Sequence, residues 1–111
     1  MFQIFFTPSF KKNIKKLLDK KEIEELENFI DTTLRIKGDI VGDQLSYPFL
    51  REKKISNKRI YYLVYKEIAV ILLVESSSKK TQQSTIDEIK SSLPDFKKYV
   101  YELYEKTKTK D

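Results

Sequence analysis

Apolar and polar positions along the chain alternate between two periods. Residues 2–6 form a short apolar run that reads as a first strand. Thr7-Pro8 then supplies an N-cap and a proline at the first helical position, and Phe10, Ile14, Leu17 and Leu18 recur at helical spacing with Lys11, Lys12, Lys15 and Lys16 between them. Asp19 followed by Glu22 predicts a capping box, and Ile23, Leu26, Phe29, Ile30 and Leu34 carry a second helix until Gly38 offers a C-cap. The two helices are expected to pair as a hairpin. Residues 38–48, with Gly, Asp, Ser and Pro and few apolar positions, read as a loop.

Three strands are expected next, over 49–55, 59–65 and 68–75, each rich in β-branched and aromatic residues, with Ser56-Asn57 and Lys66-Glu67 as turns. In the second, Ile60, Tyr62 and Val64 share one face, and Arg59, Tyr61, Leu63 and Tyr65 the other. The third is apolar throughout and is expected to be the central strand, and Ser76-Ser77-Ser78 should end the sheet. Ile86, Ile89 and Leu93 predict a third helix ended or kinked at Pro94, and Phe96, Val100, Leu103 and Tyr104 one further helical piece. The tail 106–111 is polar and expected to fray. This is an α+β pattern without an internal repeat or a linker.

Composition narrows the chemistry. The 111 residues contain no Cys and no His, which excludes disulfides, thiolate nucleophiles, Ser-His triads and imidazole bases, and leaves Lys, Arg, Tyr, Ser and carboxylates. The initial apolar run is too short for a signal or spanning segment, so a soluble cytoplasmic protein is expected. The net charge of +5 is localised: residues 1–49 and 67–111 each hold eight basic and eight acidic residues, so the surplus lies in 50–66, where Arg51, Lys53, Lys54, Lys58, Arg59 and Lys66 face Glu52 alone. Such a segment suits a polyanion; the same charges would also solvate an exposed hairpin or guard a sheet edge.

Register decides which of these groups meet. A two-residue turn at Ser56-Asn57 sets Ile55 against Lys58, Lys54 beside Arg59 and Glu52 beside Tyr61; a three-residue loop sets Lys53 against Tyr61 and Arg51 against Leu63. The first is favoured. If the third strand lies beside the second, Lys79 and Lys80 at its exit approach the same patch. Internal cleavage of RNA needs a base for the 2′-hydroxyl, charge at the phosphate and an acid for the leaving oxygen, none of which must be His. A lysine crowded by cations can exchange protons, Arg can clamp phosphate, and Tyr61 can stack a base or move a proton. Alternatively, Tyr61 and Tyr65 are sheet aromatics and Arg59 pairs with Glu52.

Leu50-Arg51-Glu52-Lys53-Lys54-Ile55, then Arg59-Ile60-Tyr61-Tyr62, the strand Val70-Ile71-Leu72-Leu73, and Lys79-Lys80-Thr81-Gln82 before Ile86–Ile89 together resemble the RelE/ParE toxin superfamily, particularly its RelE and HigB branches. The resemblance spans residues 2–93. It implies a single RelE-like domain over 1–111 with a helical extension at about 95–107: an N-terminal strand, a two-helix hairpin, an antiparallel three-strand meander and one or more C-terminal helices. It implies a toxin of a type II toxin–antitoxin pair, an mRNA endoribonuclease that arrests growth by cutting messages on the ribosome. The expected partners are a cognate antitoxin, mRNA and the ribosome, and operator DNA through the antitoxin complex, with no membrane. Carried over by position, Lys54, Arg59, Lys79 and Lys80 are the catalytic candidates, and Arg51, Lys53, Lys58 and Tyr61 are candidates for RNA binding.

No metal or organic cofactor is expected, since the carboxylates lack ligand spacing and no Gly-rich phosphate loop is present. The chain departs from the RelE pattern in having no Tyr within 81–89. Tyr99, Tyr101 and Tyr104 would substitute only if the last helix folds back over the sheet, and are expected instead to pack a helix or meet a partner. A ParE-like toxin that binds DNA gyrase without nuclease chemistry, and a member that only binds its antitoxin, are the alternatives.

Overall fold

A computed structural model describes residues 1–108. Strand β1 (Gln3–Phe6) leads through the Thr7 N-cap into α1 (Pro8–Leu17) and then α2 (Lys20–Phe29). The Thr7 hydroxyl accepts from the Phe10 N–H at 3.1 Å and donates to the Val74 carbonyl at 3.0 Å, so one side chain both caps α1 and ties it to the sheet. The Asp19–Glu22 capping box forms as the sequence predicts. Beyond Phe29 the helix widens into a π-turn (Ile30–Leu34) and closes with the short α3 (Arg35–Lys37).

Gly38 does not act as a left-handed cap, because its φ is −62°. Its role is spatial: a Cβ there would sit 2.2 Å from Ile71 Cδ1 and 2.5 Å from the Leu34 carbonyl oxygen. The segment read as loop contains a three-residue edge strand, β2 (Asp43–Leu45), too short to show periodicity. Then come β3 (Tyr47–Ile55), β4 (Lys58–Tyr65), a 3₁₀ turn at Lys66–Ile68, and β5 (Val70–Ser78). A second 3₁₀ turn (Lys79–Thr81) precedes α4 (Gln82–Ser91) and α5 (Leu93–Lys108).

The sheet order is β1-β5-β4-β3-β2, with β1 parallel to β5 and every other pair antiparallel. The favoured register is the observed one: Ile55 opposes Lys58, Lys54 opposes Arg59 and Glu52 opposes Tyr61. Ser56 takes the positive φ of the tight turn. The meander is interior but β4, not β5, is its central strand, and β5 runs on through the three serines expected to end it. A bulge explains why it can. Tyr61 opposes Glu75 while Tyr62 opposes Leu73, leaving Val74 as an extra residue, so Ser77 comes to the same face as Arg59 and Tyr61.

Each face of the sheet has its own core. Ile55, Ile60, Tyr62, Val64, Ile71 and Leu73 pack under α1 and α2 with Phe10, Leu18, Leu26 and Leu34. Leu50, Tyr61, Leu63, Leu72 and Val74 pack under α4 and α5 with Ile86, Ile89 and Val100. Pro94 neither ends nor kinks a helix; α4 stops at Ser91 and Pro94 lies in the first turn of α5, where its missing N–H costs nothing. Contrary to the sequence expectation, α5 does fold back over the sheet: Val100 is fully buried, Tyr101 meets Tyr65 edge to face, and Tyr99 Oη donates to the Phe6 carbonyl. The helix holds through Lys108, so the fray expected from residue 106 does not begin there; residues 109–111 lie outside the described residues. Among the described residues no helix is long and apolar enough to cross a membrane.

Candidate nucleic-acid site at the hairpin end of the sheet

The β3–β4 turn and the exit of β5 meet at one end of the sheet. Lys58 opposes Ser78 and Arg59 opposes Ser77, and the Lys79 N–H donates to the Asn57 carbonyl at 3.0 Å, so the 3₁₀ turn carrying Lys79 and Lys80 is tied to the hairpin tip. The structure thereby brings Lys54, Arg59, Lys79 and Lys80 to one end, Lys54 and Arg59 side by side on the α4 face. Lys54, Lys79 and Lys80 are exposed. Lys54 Nζ lies 3.6 Å from Asp43 Oδ2, an ion pair open to solvent on both sides and therefore weak.

Arg59 is different, being only 8% exposed. Its Nη1 donates to the Lys58 carbonyl at 3.1 Å, and its Nε lies 3.9 Å from Glu52 Oε1, beyond hydrogen-bond reach and without another acceptor. Glu52 is itself buried and accepts a 2.7 Å hydrogen bond from Gln82 Nε2 at the start of α4. The guanidinium is thus oriented by the Lys58 carbonyl and neutralised by a nearby carboxylate that Gln82 of α4 hydrogen-bonds, while most of its N–H donors stay uncommitted. The pairing of Arg59 with Glu52, one of the two readings open from the sequence, is the observed arrangement.

Tyr61 opposes Glu52 on the same face. Its ring is fully buried, and its hydroxyl is 2.8 Å from Ser77 Oγ. Burial pushes the phenol above its usual range, reinforced by the Glu52 charge and opposed by the Ser77 bond and by Arg59. It stays protonated at neutral pH, and with its ring covered it cannot stack a base; its place is structural.

The remaining RNA-binding candidates lie on the opposite face, where Lys58 and Lys53 tie α2 to the sheet and Arg51 ties down the segment before β2. Lys58 Nζ binds Glu22 Oε1 at 2.7 Å, and this bond, with the Asp19 N–H, holds the Glu22 carboxyl below the usual range against the opposing effect of burial. Lys53 Nζ sits 5.0 Å from the centre of the Phe29 ring. Arg51 Nη1 donates to the Val41 and Gly42 carbonyls at 3.3 Å each, and Tyr62 Oη donates to Val41 at 2.7 Å. The basic surplus of the hairpin therefore divides by strand parity: Lys54 and Arg59 face the candidate site, while Arg51, Lys53 and Lys58 serve the fold.

Sequence reasoning assigned no role to Gln82, Ser77 or Asp43. Glu52 and Gln82 are thirty residues apart with no periodicity linking them, and Ser77 reaches Tyr61 only through the bulge. The late tyrosines do not complete the site. Tyr101 Oη donates to Glu67, near Tyr65, which stands six residues along β4 from Arg59, about 20 Å at about 3.3 Å per residue.

No protein-family model matches the chain and no curated protein matches it. Solved structures do. The isolated Escherichia coli RelE toxin superposes with a TM-score of 0.59 at 16% identity, over 80% of this chain and 99% of that one. The toxin–antitoxin complex RelBE from E. coli gives 0.61 at 17% identity over 70% and 96%, and the E. coli DinJ–YafQ complex 0.51 at 15% over 73% and 97%. The chain has the RelE-like toxin fold.

Proposed function

We propose that this chain, with its RelE-like fold, is the toxin of a type II toxin–antitoxin pair: a metal-independent endoribonuclease that cuts mRNA on the ribosome and is silenced by a protein antitoxin. One observation carries the reading. The tie between the Lys79 N–H and the Asn57 carbonyl gathers Lys54, Lys79 and Lys80 at the end of the sheet that carries the guanidinium of Arg59. Solved neighbours that are toxins, several bound to antitoxins, support the biological setting.

In the reaction the 2′-oxygen loses its proton and bonds to phosphorus, the bond to the 5′-oxygen breaks, and that oxygen takes up a proton. Negative charge develops at the phosphate, where fixed cations act most strongly. Arg59, bonded to the Lys58 carbonyl and paired in charge with Glu52, offers donors in a fixed plane; Lys54, Lys79 and Lys80 add mobile charge and the proton transfers.

The test is transcript-wide mapping of 5′ ends after inducing the chain alone in cells, beside the Lys54→Ala/Lys79→Ala/Lys80→Ala variant. All three lysines are exposed, so the variant keeps the fold. New ends inside translated messages, absent in the variant, are the expected result. Growth arrest without new ends would replace the nuclease by a gyrase-binding toxin, and harmless expression would leave only a partner-binding role.

A further inference from the structure

A cleft of about 300 Å³ lies on the other side of the β5 exit, between α1 and the strand end. Asn13 and Lys16 line it from α1, and Ser76, Ser78 and Thr81 from the strand end and the turn. Among the described residues no carboxylate lines it. Lys16 is exposed and makes no ion pair among the described residues. The Ser76 hydroxyl is buried and has no hydrogen-bond partner, the state of a group that a ligand or a water satisfies. The hydroxyls of Ser78 and Thr81 are 3.4 Å apart, longer than a good O–H···O bond, so both keep capacity for a better acceptor.

Hydroxyls, an amide and an ammonium without a carboxylate make a poor cage for a cation and a good one for an anion with several acceptor oxygens. The cleft also joins the candidate site. Ser77, which borders it, opposes Arg59 in the sheet and bonds Tyr61, and Thr81 is followed directly by Gln82, the residue that holds Glu52. A polynucleotide crossing the end of β5 would therefore meet both in succession.

We infer that this cleft is a second phosphate subsite, which takes the backbone of the RNA strand next to the phosphate gripped at Arg59. The inference rests on the ribonuclease reading. Lys16 supplies the charge, and the hydroxyls with the Asn13 amide supply donors that recognise phosphate oxygens irrespective of base. The subsite thus sets the path of the strand, and sequence preference has to come from elsewhere.

The test is titration of the purified chain with a short 2′-O-methylated RNA, which cannot be cleaved, across about 50 to 200 mM salt. The Asn13→Asp/Lys16→Ala variant changes two exposed side chains and keeps the fold. It is expected to bind about tenfold more weakly, with a salt slope shallower by about 0.7, because one phosphate fewer is neutralised on binding. Equal affinity and slope in parent and variant would overturn the subsite while leaving the nuclease reading intact. Absence of binding by the parent would also overturn it, and 5′-end mapping in cells then tells whether the nuclease reading falls too.

Discussion

Lys54 and Arg59 are cross-strand neighbours of like charge in very different settings. Lys54 stands in water beside Asp43, where attraction is screened and ordering two side chains costs entropy. Arg59 lies under α4 against Glu52, and removing it would strand a buried carboxylate with only Gln82 as a donor. Arg59→Ala is therefore expected to lose about 3–5 kcal/mol of stability, and Lys54→Ala less than about 1 kcal/mol, in urea unfolding at neutral pH. Equal losses would mean that the Glu52 pair is solvated in solution. The same contrast makes Arg59 a poor first choice for activity tests, since its loss of function would be confounded with loss of fold.

Contacts between elements decide what the other basic residues do. Lys58 and Glu22 clamp β4 to the start of α2 through a short charged hydrogen bond, and Lys53 and Arg51 extend the strap toward Phe29 and the Val41–Gly42 backbone. The folded Glu22 carboxyl is held below its ordinary value of about 4.3, so the unfolded chain binds the proton more readily. The clamp's contribution is full above that ordinary value and disappears as pH falls through the lowered folded value. Acid titration of Glu22→Gln beside the parent should show the variant less stable at pH 6 to 7, roughly two units above the ordinary value, with the two curves converging in strong acid. A gap that persists there would place the effect in capping rather than charge.

At the scale of the whole molecule, a sheet with helices on both faces carries two cores that meet only through the strands. The second depends on α5, whose one fully buried residue is Val100. A charge at that point has no partner beneath the helix. Val100→Asp should release α5, seen as faster hydrogen exchange across residues 93–108, while the amides of α1 and α2 keep their protection. Uniform acceleration would mean that the two cores unfold as one unit. Because α5 covers the end of the sheet away from Arg59, its release separates a structural from a catalytic role for the late tyrosines.

Much of this molecule is local in origin and was legible in the order of residues. Thr7-Pro8 and Asp19–Glu22 start helices through bonds that span three residues, and the two-residue turn at Ser56-Asn57 imposes the register that sets Lys54 against Arg59. Alternation along β4 assigns each side chain its face before any contact is known. What the order of residues could not decide depends on partners far away in the chain. The Val74 bulge that carries Ser77 to Tyr61, the Gln82 amide on Glu52, the space around Gly38 that admits no Cβ, and the return of α5 over the sheet arise only when separate elements pack. Parity told which lysines share a face, but only packing told which face a helix covers. That is why Arg51, Lys53 and Lys58 became straps, and Lys54, Lys79 and Lys80 were left in water at the Arg59 end of the sheet.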